Sequence, residues 1–528
     1  MRVRLPLVAF SSLAAVAALA ACAPSAPRQA ADSGDATLTI ATTTDVVNFN
    51  PLIGNSRTDN WVTDLMYPRL LTIDANGNKQ PYLAKSYGYT NPTTGYWDIR
   101  DDLRWSDGKP VTADDVAYTI NAILRDKPAG NTTYGQMSNV DSASAPSPTR
   151  VELKLKRPDS TVVGEVGFWM NVVPKHVFES AGSVAKFANN ANWVSAGPYR
   201  LTTVAKGQSY TLERVTPYPF APGGTPTVAK IVYRVYPDIN TEILALKNGD
   251  VDLIGNALPP AQVKNLQAVS GVKVEQVPGL GYAHMAYNMT RKPLDQVKVR
   301  QALAHAVDYN AIRTVVLQGQ AVTTGSSPIP PALKDWVNPS LQEYNYDPNL
   351  ARQLLQEAGY GPGRPLALTM IYSLQDAVTA QWASIVKDDS AKAGITINLQ
   401  GMDRNTYLAK TAAGDYDIYA GNFAIMDDPT TNMSLTYLPK GAINYSLVDD
   451  PRLSGLITQA QQTTDKAQQK QLIWQATALV HDNVYDNVMY MQNLYFAHGS
   501  AWSGFVVKPS ELLSLLDPES LANVKKNG

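Results

Sequence analysis

Strand-like and helix-like segments alternate along this chain from residue 37 to beyond residue 480, with no repeat of fixed period. That alternation restricts it to the mixed α/β class. Thr37-Leu-Thr-Ile-Ala-Thr-Thr43, Gly95 to Arg100, Arg150 to Lys156 and Lys230 to Tyr236 carry the β-branched, alternating pattern of strands. Asp59 to Tyr67 reads as a helix closed before Pro68, and Thr112 caps a second whose first turn holds Asp114 and Asp115 at the positive end of the dipole. Further helices are expected over 297–317, from Asp347 to Gly359, and over most of 381–393 and 451–482.

The 528 residues carry 45 Lys and Arg against 46 Asp and Glu, a net charge of −1. That balance has no basic surface to offer a nucleic acid. The first residues are different in kind. Met1 to Arg4 holds two positive charges, Leu5 to Leu19 is apolar, and the run ends in Leu19-Ala-Ala-Cys22. A basic start, a short apolar run and a small-residue site describe an export signal over 1–21, too short and too Ala-rich for a membrane span. Leu-Ala-Ala-Cys resembles the bacterial lipobox. Cys22, the only cysteine, would then carry lipid and 22–35, rich in Ala, Pro and Ser, would be a tether. The expected location is the outer face of the cell membrane or the periplasm, with membrane contact through lipid only. The remaining length of roughly 490 residues calls for two or more lobes.

Four stretches carry a family resemblance: Pro81 to Tyr87 with Leu103-Arg-Trp-Ser-Asp-Gly-Lys-Pro-Val-Thr-Ala-Asp-Asp-Val116; Val173-Pro-Lys-His176 with Gly197-Pro-Tyr199; Val299 to Asp308; and Tyr346-Asp-Pro348 with Leu354 to Tyr360, followed by Gly414-Asp-Tyr-Asp417. In this order the chain resembles the extracellular solute-binding proteins of the peptide and nickel ABC-import class. The resemblance implies a two-lobed, periplasmic-binding-protein-like fold with an extra subdomain inserted in lobe one. Lobe one would be 36–55, 175–278 and 490–528, the inserted subdomain 56–174, and lobe two 290–488. It also implies a monomer that closes on a peptide or other small solute and delivers it to a permease and ATPase complex.

The first candidate site is the loop after Gly414 to Asn422, Phe423-Ala-Ile-Met-Asp-Asp-Pro429, because strand ends in α/β folds take ligands. Peptide-binding relatives have an aromatic here, then an acid for the peptide's amino group, then Asp-Pro. Aligned without gaps, Asn422 stands for the aromatic and Ile425 for the acid; a loop shorter by two puts Asp427 and Phe423 there. Both registers stay open at this point. The bland reading of Asp428 is a cap on a helix starting at Pro429. Tyr282, Tyr419, Tyr490, Trp61 and Tyr67 are aromatic candidates by position, and His284 joins them because it stands at an implied crossover. Tyr282 to Tyr287 and Met489 to Asn493 would be those crossovers.

No histidine pair has metal-ligand spacing, no metal site or cofactor is expected, and no nucleophile elbow, phosphate loop or dinucleotide fingerprint is present. The doublets Asp101-Asp102, Asp114-Asp115, Asp388-Asp389 and Asp449-Asp450 read as solvated charge. An extracellular hydrolase is therefore disfavoured as a function class. A peptide carrier leads, ahead of a carrier of an oligosaccharide, metal chelate or other polar metabolite, and of a sensory or adhesive surface protein.

Overall fold

The computed structural model describes residues 36–527 except 55, 129–131, 324, 424–425 and 511–512. Cys22, the signal, the tether and Ile425 lie outside the described residues. Three sheets organise the rest. In the largest, seven strands run in the spatial order Val272–Val277, Leu494–Gly499, Leu253–Ile254, Thr37–Thr42, Lys230–Val235, Ser209–Arg214 and Tyr199–Ala205. Thr37–Thr42 is parallel to both neighbours, and the other pairs are antiparallel.

The second sheet has six strands in the order Ala321–Val322, Asp486–Gln492, Tyr282–Tyr287, Ile418–Phe423, Leu366–Ser373 and Ile395–Met402. All six residues of Tyr282–Tyr287 are buried, which fits a central strand covered on both faces by helices. The apolar face expected on the helix Val297–His305 is real: Val299 and Leu303 are sealed. That helix stops at Ala306, and a π turn over Ile312–Val316 replaces the continuous helix expected to 317.

A four-stranded antiparallel sheet, Ala84–Asn91, Thr94–Ile99, Arg150–Leu155 and Val140–Ser147, is formed wholly within 84–155. It has no separate core. Its Trp97 and Leu153, with Ile120 of the helix Ala113–Asp126, belong to one apolar cluster with Leu38, Leu212 and Tyr233 of the seven-stranded sheet. Packing this continuous makes the four-stranded unit and the seven-stranded sheet one side of the molecule. The helix over it, Ala113–Asp126, starts as expected: Thr112 and Asp115 form a reciprocal capping box.

The chain crosses between the seven- and six-stranded sheets at 278–281 and again at 493. There the two passages touch: a Cβ on Gly279 would lie 2.1 Å from the Gln492 carbonyl oxygen. The two-lobed, mixed α/β architecture thus has a narrow waist.

The acidic doublets are not uniformly solvated. Asp115 accepts hydrogen bonds from the Thr112 and Lys175 backbone amides. Asp389 is buried and accepts from the Asp308 amide, and Asp450 caps Pro451–Gln462 and accepts from the Tyr485 hydroxyl. One carboxylate in each of these pairs ties two segments together, because a buried backbone amide needs a partner.

Candidate functional site: the space between the lobes

Loops at the C-terminal ends of Leu366–Ser373 and Ile418–Phe423 face the waist. A pocket of about 210 Å³ opens there, lined by Tyr282, Asn422, Phe423 and Tyr490, with Gly279, Asp376 and Gln492. Four sequence candidates therefore converge. Asn422 donates from Nδ2 to Asp376 Oδ2 at 2.8 Å. Asp376 also caps the helix Ala377–Lys392 by accepting from the Thr379 amide at 3.0 Å. No Lys, Arg or His stands among the described lining residues of this pocket.

Behind Phe423 lies a buried aromatic layer. The His284 ring sits 4.3 Å from that of Phe423, and Tyr419 packs against Tyr407 and Tyr445. His284 Nδ1 is 2.8 Å from Asp486 Oδ1, and the Tyr437 hydroxyl donates to Asp486 Oδ2 at 3.1 Å. Burial first, and then the Asp486 carboxylate, push the Tyr282 phenol well above its usual range. His284 and Tyr419 support the pocket wall and do not line it.

Trp61 and Tyr67 are not in the cleft. Both are 1 % exposed. Trp61 stacks on Tyr233, and the Tyr67 hydroxyl accepts from Asn189 Nδ2. The helix Arg57–Met66 turns this face into the core of the first side, not toward the second.

Asp427 and Asp428 follow the strand Ile418–Phe423 and have separate fates. Asp428 accepts from the Thr431 amide at 2.8 Å and caps Pro429–Tyr437, as the bland reading expects, and it also lines a cavity. Asp427, 7 % exposed, crosses to the opposite side. Its Oδ2 accepts from Trp169 Nε1 at 3.1 Å and lies 3.5 Å from Lys79 Nζ. Lys79 makes a shorter ion pair with Glu165, and Gln136 Nε2 donates to the second Glu165 oxygen at 3.2 Å.

Burial pushes the Lys79 ammonium down, but Glu165, Asp427 and Asp428 outweigh it and hold Lys79 above its ordinary range. Burial, and next the Asp427 carboxylate, push Glu165 well above its own. Cavities of about 540 and 520 Å³ flank this bridge, the first lined by Lys79, Asp427 and Asp428, the second by Glu165, Asp159 and Thr431.

Asp376, Lys79, Glu165 and Trp169 are among the residues of these sites that escaped the sequence reading. One carried a signal. Glu165 is the only charge in Val162-Val-Gly-Glu-Val-Gly-Phe-Trp169, and a lone acid in an apolar helix requires a partner.

With this geometry in hand, comparison with known proteins is decisive. Residues 78–444 match the family model of the bacterial extracellular solute-binding proteins, family 5. The chain belongs to that family. It is 25 % identical over 489 residues to the probable D,D-dipeptide-binding periplasmic protein DdpA of Escherichia coli (strain K12), covering 89 % of this chain and 92 % of that one. It is 27 % identical over 490 residues to heme-binding protein A of Haemophilus influenzae, covering 86 % and 87 %. The fold superimposes with a TM-score of 0.75 on the oligopeptide-binding protein AppA of Bacillus subtilis in complex with a nonapeptide, at 20 % identity over 94 % of this chain and 100 % of that one. This family 5 protein thus pairs a shared fold with relatives whose named ligands differ widely.

Proposed function

We propose that this family 5 protein is the solute-capturing subunit of an ABC importer, anchored outside the cell by lipid on Cys22. It takes a small peptide between its lobes, closes on it and presents it to a permease and ATPase complex. The space between the lobes carries this reading: cavities of about 540 and 520 Å³, in the range of small-molecule sites, with a smaller one of about 210 Å³ at the waist. Relatives named for a dipeptide and solved with a nonapeptide support the ligand class. A solute that touches both lobes favours the closed form by that differential contact alone. On this reading the seven-stranded sheet belongs to lobe one, the unit over 84–155 to its inserted subdomain and the six-stranded sheet to lobe two.

A second reading, a non-peptide polar solute, draws on a specific observation. Asp427 is already held by Trp169 and Lys79, so its carboxylate is not free for a peptide ammonium.

Thermal melting of the mature chain against di- to octapeptides, their N-acetylated forms, oligosaccharides and nickel chelates separates the two. A ligand at 100 times its dissociation constant adds about 2.7 kcal/mol. A shift with free peptides alone supports amine recognition, whereas a shift only with a sugar or chelate replaces the peptide reading by the second. Cys22→Ser should release the chain from the membrane fraction, and retention there would sink the lipid anchor.

A further inference from the structure

The bridge between the lobes is one positive charge short. Glu165 belongs to the lobe-one side and Asp427 to the six-stranded side, and both lean on the single ammonium of Lys79. The three side chains are 2 %, 6 % and 11 % exposed in the same order. Their other partners, Gln136 and Trp169, are uncharged donors.

The surroundings do not supply the missing charge. Asp428 and Asp159 are further carboxylates beside the same cavities. Arg69 shares the Phe168 ring with Lys79, each 5.6 Å from its centroid, but is committed to Asp64. Lys466, Arg157 and Lys440 are exposed at the cavity walls, and Lys470 lies over the Trp474 ring. Among the described residues, none of these four forms an ion pair with Glu165 or Asp427. Burial keeps the Tyr87 and Tyr89 phenols neutral.

Two buried carboxylates that lean on one cation favour the uncharged form of Glu165, because an unpaired buried charge costs several kcal/mol. We propose that closing the cleft takes up one proton at Glu165, because closure brings Asp427 onto the same Lys79, so that closure is linked to pH. This rests on the reading of the chain as a solute-binding protein that opens and closes.

The sign follows from the two states. Open, with Asp427 withdrawn, Glu165 loses that neighbouring carboxylate and part of its burial while Lys79 stays beside it, so its carboxyl falls back toward the ordinary range. Closed, burial and then Asp427 raise it. Closure is therefore fully favoured below the ordinary glutamate range, and the advantage is lost as pH rises through the raised value.

Trp169 reports the state, since its indole meets Asp427 only when the lobes are together. The full chain in detergent is labelled with fluorotryptophan, the Trp169 resonance is assigned with Trp169→Phe, and fluorine NMR follows it between about pH 5 and pH 9 with no solute added. The closed-to-open ratio should fall about tenfold per pH unit inside the window. Glu165→Gln, which keeps a partner for Lys79 and Gln136, should leave the chain closed and the profile flat. Asp427→Asn should flatten it too, with Lys79 and Glu165 then matched one to one.

A pH-independent wild-type ratio, or an unchanged slope in both variants, overturns the proposal. No solute is present, so failure of the ligand panel and failure of this experiment are separate results.

Discussion

The waist pocket takes in Asn422 and Phe423 and the bridge takes in Asp427, yet the two are built by opposite chemistry. The pocket is shaped by Phe423, Tyr282, Tyr490 and two chain passages in contact, and its one carboxylate, Asp376, is already satisfied by Thr379 and Asn422. The bridge is held by buried charges that do not balance. A fault in the first is steric and indifferent to pH. A fault in the second is electrostatic and depends on it.

The sharpest way to break this contrast is Lys79→Met. It leaves Glu165 and Asp427 facing each other without a cation, and removing one partner of a buried ion pair costs about 3–5 kcal/mol. Melting should show that loss near neutral pH and a smaller one in acid, where the carboxylates take protons. Adding Glu165→Gln should recover much of it. Equal melting of Lys79→Met and wild type at both extremes would mean that the bridge is not an electrostatic element.

How much of this was legible in the sequence depended on distance along the chain. Asp428 before Pro429 and Thr112 before Ala113 were legible because a cap and its amide stand within three residues. Asn422 and Phe423 were candidates as part of a loop at a strand end, and Tyr282 and Tyr490 by their place at the crossovers that the family resemblance implies; the structure brings the four to one pocket. Trp169 and Asp427 are 258 residues apart, and no local pattern joins them. Trp61 and Tyr67 were misplaced for a related reason. Periodicity gives the buried face of a helix without saying whether that face meets a core or a cleft. The buried members of the acidic doublets were missed because each has a partner on a distant segment: the Lys175 amide for Asp115, the Asp308 amide for Asp389 and the Tyr485 hydroxyl for Asp450.

A middle-sized effect tests the pocket. Gly279→Ala places a Cβ 2.1 Å from the Gln492 carbonyl oxygen, a backbone atom that cannot swing away. The two passages must separate, and overpacking of this kind costs about 1–3 kcal/mol. Melting should fall by that amount at every pH. Gly361→Ala, with no neighbour within 4 Å of the added carbon, should melt like wild type. A loss in Gly279→Ala that varied with pH would blur the distinction between the two regions.

The smallest effect divides the neighbours Asp427 and Asp428. Asp428→Ala removes the oxygen that accepts from the Thr431 amide and should cost about 1 kcal/mol, the usual value of a helix cap. Asp428→Asn keeps a capping oxygen and should restore most of that stability. It also removes a carboxylate that helps push Glu165 up, though a lesser one than Asp427. The Trp169 profile in Asp428→Asn should therefore keep its slope while its midpoint moves to lower pH. In Asp427→Asn the slope itself should vanish. If both variants lost the slope, the proton would belong to the whole acidic segment; if only Asp427→Asn did, the pairing across the lobes is what holds it.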